Sequence, residues 1–389
     1  MLSKFSFGTY RTTNKDTSHK EALKHAIDVG IRDIDTSSNY MFGDAELLIA
    51  DVLKETNKKV KVVSKGGYIQ GPTLERVKNG YKVEDLVEYD PNCFHSISPD
   101  FLDDQIEKSL QRLGTECIDT YLLHNPEYYL MAELKKSEDI KHHQNIMQER
   151  IKKAFGTLEQ KVKEGKIKNY GISSNSFAKK SDDKYFLEYK NLIKHAKNIA
   201  GEGHHLKVLQ LPMNLLETHG EACAKWGYEN NLEIHINRPL NAFHPKLGMV
   251  RLANYSRCSE YLELLQKSKD LSPELTPIIT QLESILTDFR WAGDIDDTLT
   301  YKVIPHINKN VTLNTNEEID ILSDFLDCYK AEAKHLLSVK TKYELKKRDI
   351  NVQESIDKTA IKYLKDNPHI TKILIGMRSK EYVDRVLQY

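Results

Sequence analysis

Residues Asp33 to Glu46 read DIDTSSNYMFGDAE and place an acid and a tyrosine five residues apart, where a short apolar run gives way to polar residues. Two later apolar runs end in a similar way. KVKVVSK ends at Lys65, and CIDTYLLHN carries His124 next to its end. Runs of this length bounded by polar residues are typical of buried strands. The sequence therefore predicts three successive strands whose ends carry Asp35 with Tyr40, then Lys65, then His124.

Strand-like and helix-like segments alternate along most of the chain. We predict strands at 4–11, 31–35, 59–65, 117–124, 167–173, 206–211, 232–236 and 372–375. The first intervening helix is predicted to start with a capping box of Ser18 and Glu21. Strands that alternate with helices in this number predict an α/β fold, a (β/α)8 TIM barrel with long loops at its C-terminal face. The active site of such a barrel lies at the carboxyl ends of its strands, where the polar residues above are expected.

Two intervals interrupt this alternation. Residues 66–97 show no clear period and are rich in Gly, Pro, Tyr and Asn, which predicts a long functional loop. The interval from Leu240 to Lys372 is several times longer than the roughly 30 residues of one βα unit. Helical patterns at 275–289, 317–337 and 355–364 predict a helical insertion, 246–351, between strands 7 and 8. We expect it to decorate a single barrel domain of residues 1–389.

Composition excludes several classes of function. The chain has 389 residues, is 39% hydrophobic and balances 57 Lys and Arg against 57 Asp and Glu, so no net charge favours nucleic acid or a membrane surface. Five scattered cysteines without a CxxC predict a reduced, cytoplasmic protein. We expect no signal peptide and no membrane span. The adjacent pairs His142-His143 and His204-His205 lack zinc-site spacing, so no metal is expected.

The four polar residues at the strand ends suit the reduction of a carbonyl group. Tyr40 would be the general acid, and a nearby Lys65 would stabilise its phenolate. Asp35 would hold the lysine in place, and His124 would donate a hydrogen bond to the substrate oxygen. Taken singly, each has a commoner role: a loop cap, a rim aromatic, a solvated lysine or a core histidine. Their recurrence at successive strand ends favours catalysis.

In this order and setting the four residues resemble the catalytic tetrad of the aldo-keto reductases. The segment SLQRLGTECIDTYLLHNP, Ser109 to Pro126, is similar to the family's SLxRLGxDyiDLyxxH signature, and GKIKNYGISSNSF, Gly165 to Phe177, is similar to its GKIRxxGVSN segment. The resemblance covers residues 4–240 and 367–389. It implies transfer of a hydride between NAD(P)H and an aldehyde or ketone.

The same resemblance implies the cofactor site. Ser173 and Gln210 match residues that bind the nicotinamide carboxamide, and either Ser174 or Asn175 takes the third position. Asn237 stands where the family usually stacks a tyrosine, and Arg238 beside it reaches the pyrophosphate or forms a structural ion pair. The loop Gly376 to Ser379 resembles one that favours NADP, although Tyr382 and Val386 depart from that pattern and leave NAD open. The implied cofactor-binding residues are Thr9, Asp35, Ser173, Ser174, Asn175, Gln210, Arg238, Pro239, Leu240, Gly376, Arg378 and Ser379.

The substrate and the direction of the reaction stay open at this point. The substrate pocket is expected to include Tyr10, Tyr68 and Asn125, and the partner is expected to be a small carbonyl compound rather than nucleic acid or a membrane. Two alternatives remain. In the first, the chain is a nucleotide-binding regulatory subunit that has little turnover of its own and acts through a partner. In the second, it is a dehydrogenase in which Tyr40 serves as the base. The oligomeric state is not predicted.

Overall fold

The computed structural model describes residues 2–389 as alternating strands and helices. The strands, in chain order, are β1 (Phe5–Gly8), β2 (Asp33–Asp35), β3 (Lys61–Gly66), β4 (Tyr68–Ile69), β5 (Val87–Asp90), β6 (Cys93–His95), β7 (Ile118–His124), β8 (Ile167–Ser173), β9 (Leu206–Pro212), β10 (Glu233–Asn237), β11 (Asn241–His244), β12 (Gly248–Arg251) and β13 (Lys372–Gly376). The helices are α1 (Thr17–Val29), α2 (Asp44–Lys54), α3 (Gly71–Lys78), α4 (Pro99–Leu113), α5 (Tyr128–Glu133), α6 (Ile140–Lys163), α7 (Leu192–Ala200), α8 (Glu221–Glu229), α9 (Tyr261–Leu271), α10 (Leu275–Ile285), α11 (Ala292–Thr298), α12 (Ile304–Asn310), α13 (Asn316–Lys346), α14 (Ile356–Asp366) and α15 (Lys380–Leu387). No helix within residues 2–389 combines the length and the apolar composition needed to span a bilayer.

Eight parallel strands of the described residues close into a barrel, in the order β1, β13, β10, β9, β8, β7, β3, β2. The pairing of β7 with β8 aligns His124 with Ser173, and that of β8 with β9 aligns Ser173 with Gln210. Parallel strands in one ring bring their carboxyl ends to the same face. The predicted (β/α)8 class is confirmed, and the polar strand ends lie on one face of it.

Helix ends follow capping chemistry, with one correction to the sequence prediction. The predicted capping box of Ser18 and Glu21 is wrong, because α1 begins at Thr17 and Asp16 is its N-cap. The Asp16 carboxylate accepts the Ser18 amide at 2.9 Å, and a carboxylate at this position also interacts favourably with the helix dipole. Helix α4 begins at Pro99, with Ser98 as its N-cap.

The interval 66–97 is structured, contrary to the predicted loop. It contains α3 and a three-stranded antiparallel sheet in the order β4, β6, β5. The side chains of Ile69 and Leu74 pack with Phe101 in a small buried cluster. Strands of two to four residues are too short to show a period in the sequence, which is why they were missed.

The chain divides into two compact units, where the sequence predicted one domain. The first holds the barrel and consists of the described residues up to Met213, with Glu217–Pro239 and Leu364–Tyr389. The second consists of Asn214–Leu216 and Leu240–Tyr363, and the predicted insertion 246–351 falls within it. Its core is formed mainly by α9, α10 and α13, and within it the Tyr329 hydroxyl donates to the Leu282 carbonyl at 2.7 Å.

A disulfide joins Cys258 to Cys328 in the second unit, with Cα atoms 5.5 Å apart. The expectation that all cysteines are reduced is therefore wrong for this pair. Cys93, Cys117 and Cys223 are free. The paired cysteines are 70 residues apart, so no local spacing in the sequence indicated that they would form a disulfide.

Candidate active site

The ends of β2 and β3 hold a buried ion pair between Asp35 and Lys65. Lys65 Nζ lies 2.6 Å from Asp35 Oδ1, and the lysine side chain is fully buried. The ammonium also donates to the Thr36 carbonyl at 2.7 Å and to the Tyr40 hydroxyl at 3.3 Å. Burial disfavours the ammonium, but the Asp35 carboxylate outweighs it, so the pKa of Lys65 is raised. Lys65 is thus a fixed cation with all three N–H donors in use.

Tyr40 lies in the loop after β2 with its hydroxyl beside that cation. Lys65 Nζ is 4.9 Å from the centroid of the phenol ring as well as 3.3 Å from its oxygen. Burial raises the pKa of Tyr40, and the Lys65 charge opposes that rise. The phenol therefore keeps its proton at neutral pH, and a phenolate at this position would be stabilised by the cation.

His124, at the end of β7, is the fourth member of the group. Its ring lies 6.0 Å from the Tyr40 ring and 4.7 Å from the Tyr68 ring, edge to face in both cases. Burial lowers the pKa of His124 well below its ordinary value, and the charge of Lys65 adds to the effect. The imidazole is therefore neutral at neutral pH, so it can form hydrogen bonds but carries no positive charge.

Two predicted cofactor residues are linked to the ion pair by hydrogen bonds. The Ser173 hydroxyl donates to Gln210 Oε1 at 2.9 Å, and Gln210 Nε2 donates to Asp35 Oδ2 at 2.7 Å. All three side chains are buried. The chain of contacts holds the Gln210 amide in one orientation and connects β8 and β9 to the carboxylate of Asp35.

Contacts with Glu127 distinguish Ser174 from Asn175, the two candidates for the third contact with the nicotinamide carboxamide. The Ser174 hydroxyl donates to Glu127 Oε2 at 2.8 Å, and the Asn175 backbone amide donates to Oε1 at 2.8 Å. Burial raises the pKa of Glu127 to about 7. Ser174 is itself fully buried, whereas Asn175 is exposed and its side-chain amide donates to Asn125 at 3.2 Å. Of the two, Asn175 is the one accessible to a ligand.

Arg238, for which the sequence left two alternatives open, follows directly after β10. Arg238 Nη2 lies 2.7 Å from Glu217 Oε1, an arrangement that corresponds to the alternative of a structural ion pair. Asn237 Oδ1 is buried and has no hydrogen-bond partner among residues 2–389. Pro239 is buried. Leu240 belongs to the second unit, where it is buried.

The ends of β1 and β13 form the remaining part of the predicted cofactor site. Their pairing sets Gly8 beside Gly376, and a Cβ on Gly8 would approach the Ile375 carbonyl oxygen to 3.2 Å. The buried Thr9 hydroxyl donates to the Asp35 carbonyl at 3.0 Å, which gives it a structural role. Arg378 is exposed, and Ser379 is the N-cap of α15. The last two residues combine a cation with a helix N-terminus, which suits an anion.

The predicted pocket residues lie around the tetrad. The Tyr10 ring is 5.4 Å from the Tyr40 ring and 62% exposed, and the Asn125 amide donates to the Tyr68 hydroxyl at 2.6 Å. Met41 and Phe42, which follow Tyr40, adopt φ angles of 48° and 58° and expose 44% and 63% of their surface. Left-handed backbone at two successive non-glycine residues is costly and is found where function requires it.

Sequence reasoning missed three residues that support the site. Ser37 Oγ lies 2.9 Å from His124 Nδ1, and His95 Nε2 donates to the His124 carbonyl at 2.8 Å. Glu127 is the third. The hydroxyl in DTSS and the acid after HNP were visible as polar residues next to predicted site residues. No sequence signal marked His95, because it lies on a strand of three residues.

Comparison with known proteins points to one family. The model of the aldo/keto reductase family matches residues 4–222. Aldo-keto reductase yakc [NADP(+)] of Schizosaccharomyces pombe is 26% identical over 165 residues, 42% of this chain and 38% of the relative. The NADH-specific methylglyoxal reductase of Escherichia coli is 30% identical over 99 residues, 24% of this chain and 27% of the relative. The chain thus spans well under half the length of either relative.

A solved structure extends the similarity of fold. The glycerol dehydrogenase of Gluconobacter oxydans aligns with a TM-score of 0.51 at 18% identity and covers 98% of this chain and 85% of its own. At this identity the likeness concerns the fold alone. The family match, by contrast, spans more than half of the chain and includes β2, β3, β7, β8 and β9. On that match the chain belongs to the aldo/keto reductase family.

Proposed function

We propose that this protein is an NADP-dependent oxidoreductase that reduces the carbonyl group of a small aldehyde or ketone to an alcohol. The observation that carries the proposal is the position of Lys65 Nζ, 2.6 Å from Asp35 Oδ1 and 3.3 Å from the Tyr40 hydroxyl. A cation held by a buried carboxylate beside a phenol is an arrangement that makes the phenol a better proton donor.

In this proposal Tyr40 gives its proton to the substrate oxygen as negative charge develops there. Lys65 stabilises the phenolate that remains, and Asp35 keeps the ammonium of Lys65 in position. Gln210 in turn holds the other carboxylate oxygen of Asp35. His124 is neutral and is therefore not a competing acid at neutral pH. The nicotinamide, when bound, supplies the hydride.

The residues present fit a nicotinamide dinucleotide. Gln210, oriented by Ser173, and the exposed Asn175 offer amide groups to the carboxamide. Asn237 Oδ1, which has no hydrogen-bond partner in the described part of the chain, offers a further acceptor. Arg378 and Ser379, at the start of α15, would hold the adenosine 2′-phosphate. We propose NADP over NAD on these two residues. The name of the fission-yeast relative carries NADP(+), while that of the bacterial relative carries NADH.

The substrate is proposed to approach past an aromatic rim. Tyr10 and Tyr68 lie next to the tetrad, and Phe42 is mostly exposed beside Tyr40. Such a rim favours carbonyl compounds with an apolar or aromatic substituent, because ring faces contribute contact area without hydrogen-bond demands. The cytoplasmic location and the absence of a nucleic-acid partner stay predictions.

The test is turnover of the purified full chain with NADPH or NADH and a reactive aldehyde or a quinone, followed at the nicotinamide absorbance. Tyr40→Phe should lower kcat by at least about a hundredfold, because it removes only the proton donor. Tyr228→Phe removes the hydroxyl of an exposed tyrosine on α8 and serves as the matched control. If neither cofactor supports turnover although one of them binds, the regulatory nucleotide-binding alternative replaces this proposal.

A further inference from the structure

Glu127, shortly after β7, is a fully buried acid that accepts three hydrogen bonds from one loop. Its Oε2 accepts the Ser174 hydroxyl at 2.8 Å. Its Oε1 accepts the backbone amides of Asn175 at 2.8 Å and of Ser176 at 3.3 Å. The loop leads from the end of β8 into a single helical turn, Asn175–Ala178. Three neighbouring donors of the loop that carries Asn175 are thus directed at one side chain.

The side chain of Asn175 is held from the same segment of the chain. Asn175 Nδ2 donates to Asn125 Oδ1 at 3.2 Å, and the Asn125 backbone amide donates to the Ser173 carbonyl at 2.7 Å. Asn125 adopts a φ of 52°, an uncommon backbone conformation for a residue other than glycine. Glu127 therefore fixes the backbone of Asn175 while Asn125 fixes its side chain.

The charge of Glu127 has no counter-ion among residues 2–389. The titratable side chains that face it are Tyr68 on β4 and Tyr128 on α5, and both are neutral near pH 7 because burial raises their pKa. Burial also raises the pKa of Glu127 to about 7, and the hydrogen bonds from the loop oppose that rise. A glutamine could accept the same backbone amides without a charge to bury, so the acid is costly for the fold. A costly buried charge beside a candidate cofactor site indicates a functional role.

We propose that Glu127 is a positioning residue that, as a carboxylate, holds the loop 173–176 in place for the nicotinamide half of the cofactor, and that its protonation weakens cofactor binding. The inference rests on the proposed function, because Asn175 is assigned to the carboxamide there. A carboxylate accepts from all three donors at once. The protonated acid has to place its own O–H, and its remaining hydrogen bonds to the loop are neutral and therefore weaker.

The sign of the pH dependence follows from which form binds the cofactor. Because the carboxylate holds the loop and the acid holds it less well, cofactor affinity is low below about pH 6 and increases as the pH rises through about pH 7. Linkage then requires that cofactor binding lowers the pKa of Glu127 and releases protons near neutral pH.

The test compares wild type with Glu127→Gln, which resembles the protonated acid in shape and in hydrogen bonding. NADPH and adenosine 2′,5′-bisphosphate, which lacks the nicotinamide, are titrated into the purified full chain between about pH 5.5 and about pH 8.5, with quenching of protein fluorescence as the signal. The 2′-phosphate titrates equally with both proteins, so the measured quantity is the ratio of the dissociation constant of the variant to that of wild type. Glu75→Gln, at an exposed position on α3, is the control variant.

At about pH 8.5 Glu127→Gln should bind NADPH about three- to tenfold more weakly than wild type, and at about pH 5.5 the two should agree within about twofold. The bisphosphate should give a ratio of about one at both pH values, because the loop contacts only the nicotinamide half. A merely structural role would weaken both ligands alike. A ratio for NADPH that does not change with pH, or an equal change for the bisphosphate, would overturn the proposal.

Ser174→Ala tests the mechanism in a chain that keeps the acid. The variant removes one hydrogen bond that favours the carboxylate, so the pKa of Glu127 should rise. The midpoint of the pH dependence of NADPH affinity should therefore move to higher pH. A midpoint that stays in place or moves to lower pH would contradict the proposal.

These titrations separate the inference from the proposed function. Turnover of a carbonyl compound by a chain whose NADPH ratio is constant with pH would uphold the enzyme and reject the role of Glu127. The expected pH-dependent ratio in a chain without turnover would uphold the role of Glu127 and reject the enzyme.

Discussion

Asp35 and Gln210 are 175 residues apart in the chain, and their side chains meet at 2.7 Å through the carboxylate oxygen that Lys65 does not use. Both oxygens of Asp35 therefore have a donor, one charged and one neutral. The carboxylate is held by β3 on one side and by β9 on the other, so its orientation is fixed by the barrel and not by the loop after β2. Such double anchoring is a requirement for a preorganised charge.

Removal of the buried cation should be costly for the fold as well as for chemistry. Lys65→Met leaves Asp35 buried, and among residues 2–389 only the neutral Gln210 amide then remains as a side-chain partner of its carboxylate, so the free energy of unfolding should fall by about 3–5 kcal/mol. Urea denaturation measures this change. Adding Asp35→Asn in the same chain should recover part of the loss, since no charge is then left alone. Lys58→Met, at an exposed pair with Asp28, should change the unfolding free energy little; an equal loss there would contradict the argument.

Glu127 should make stability depend on pH near neutrality. Its folded-state pKa, raised to about 7, lies above that of an unfolded glutamate, so the folded state binds more protons between about pH 4.5 and about pH 7. Stability from this group is therefore present below that interval and is lost as the pH rises through it. Glu127→Gln cannot ionise, and its unfolding free energy should fall less than that of wild type between about pH 5 and about pH 8.

Glu75→Gln, at an exposed position on α3, is the control for the Glu127 experiment, since other titrating groups contribute equally to both proteins. Its change in stability with pH should follow that of wild type. Parallel curves for wild type and Glu127→Gln would show that this carboxyl ionises in the same way in the folded and unfolded chains.

A side chain at Gly171 should strain the barrel where β8 approaches β9. A Cβ at this position would lie 2.0 Å from the Val208 carbonyl oxygen, which is backbone and has no rotamer to change. We expect Gly171→Ala to lower the unfolding free energy by about 1–3 kcal/mol or more. Gly156 lies inside α6, and a Cβ there would have no atom of residues 2–389 within 4 Å apart from the neighbouring backbone of its own helix. Gly156→Ala should therefore raise the unfolding free energy by roughly 0.5–1 kcal/mol, and denaturation of the two variants side by side distinguishes the two glycines.

Two arginines predicted to bind the cofactor should behave differently. Arg378→Ala should weaken NADPH about tenfold or more and change NADH little, because its proposed partner is the 2′-phosphate. Arg238→Ala breaks the contact with Glu217 and should affect the two cofactors equally, mainly through stability. Quenching of protein fluorescence on titration gives both dissociation constants. Equal losses of NADPH and NADH affinity in Arg378→Ala would show that Arg378 does not bind the 2′-phosphate.

The barrel could be predicted from the sequence because its strands are buried apolar runs, and the positions of β3, β7, β8 and β9 agree with prediction to within two residues. The proximity of Asp35, Tyr40, Lys65 and His124 was predictable for a related reason, since a polar residue that ends an apolar run is visible locally. The contacts that decide whether Ser174 or Asn175 is accessible to a ligand could not be predicted, because they come from Glu127, which is 47 residues away from Ser174 in the chain. The partner of Arg238 and the pairing of Cys258 with Cys328 depend on tertiary structure in the same way.

The contacts from Ser173 through Gln210, Asp35 and Lys65 to Tyr40 also have an evolutionary consequence. Each member satisfies a buried donor or acceptor of the next, so a descendant that no longer needed the chemistry would lose stability by changing any one of them alone. Single mutations in these residues are then selected against because they lower the stability of the fold. Relatives without activity should therefore either retain all five residues or have replaced several of them together by apolar side chains.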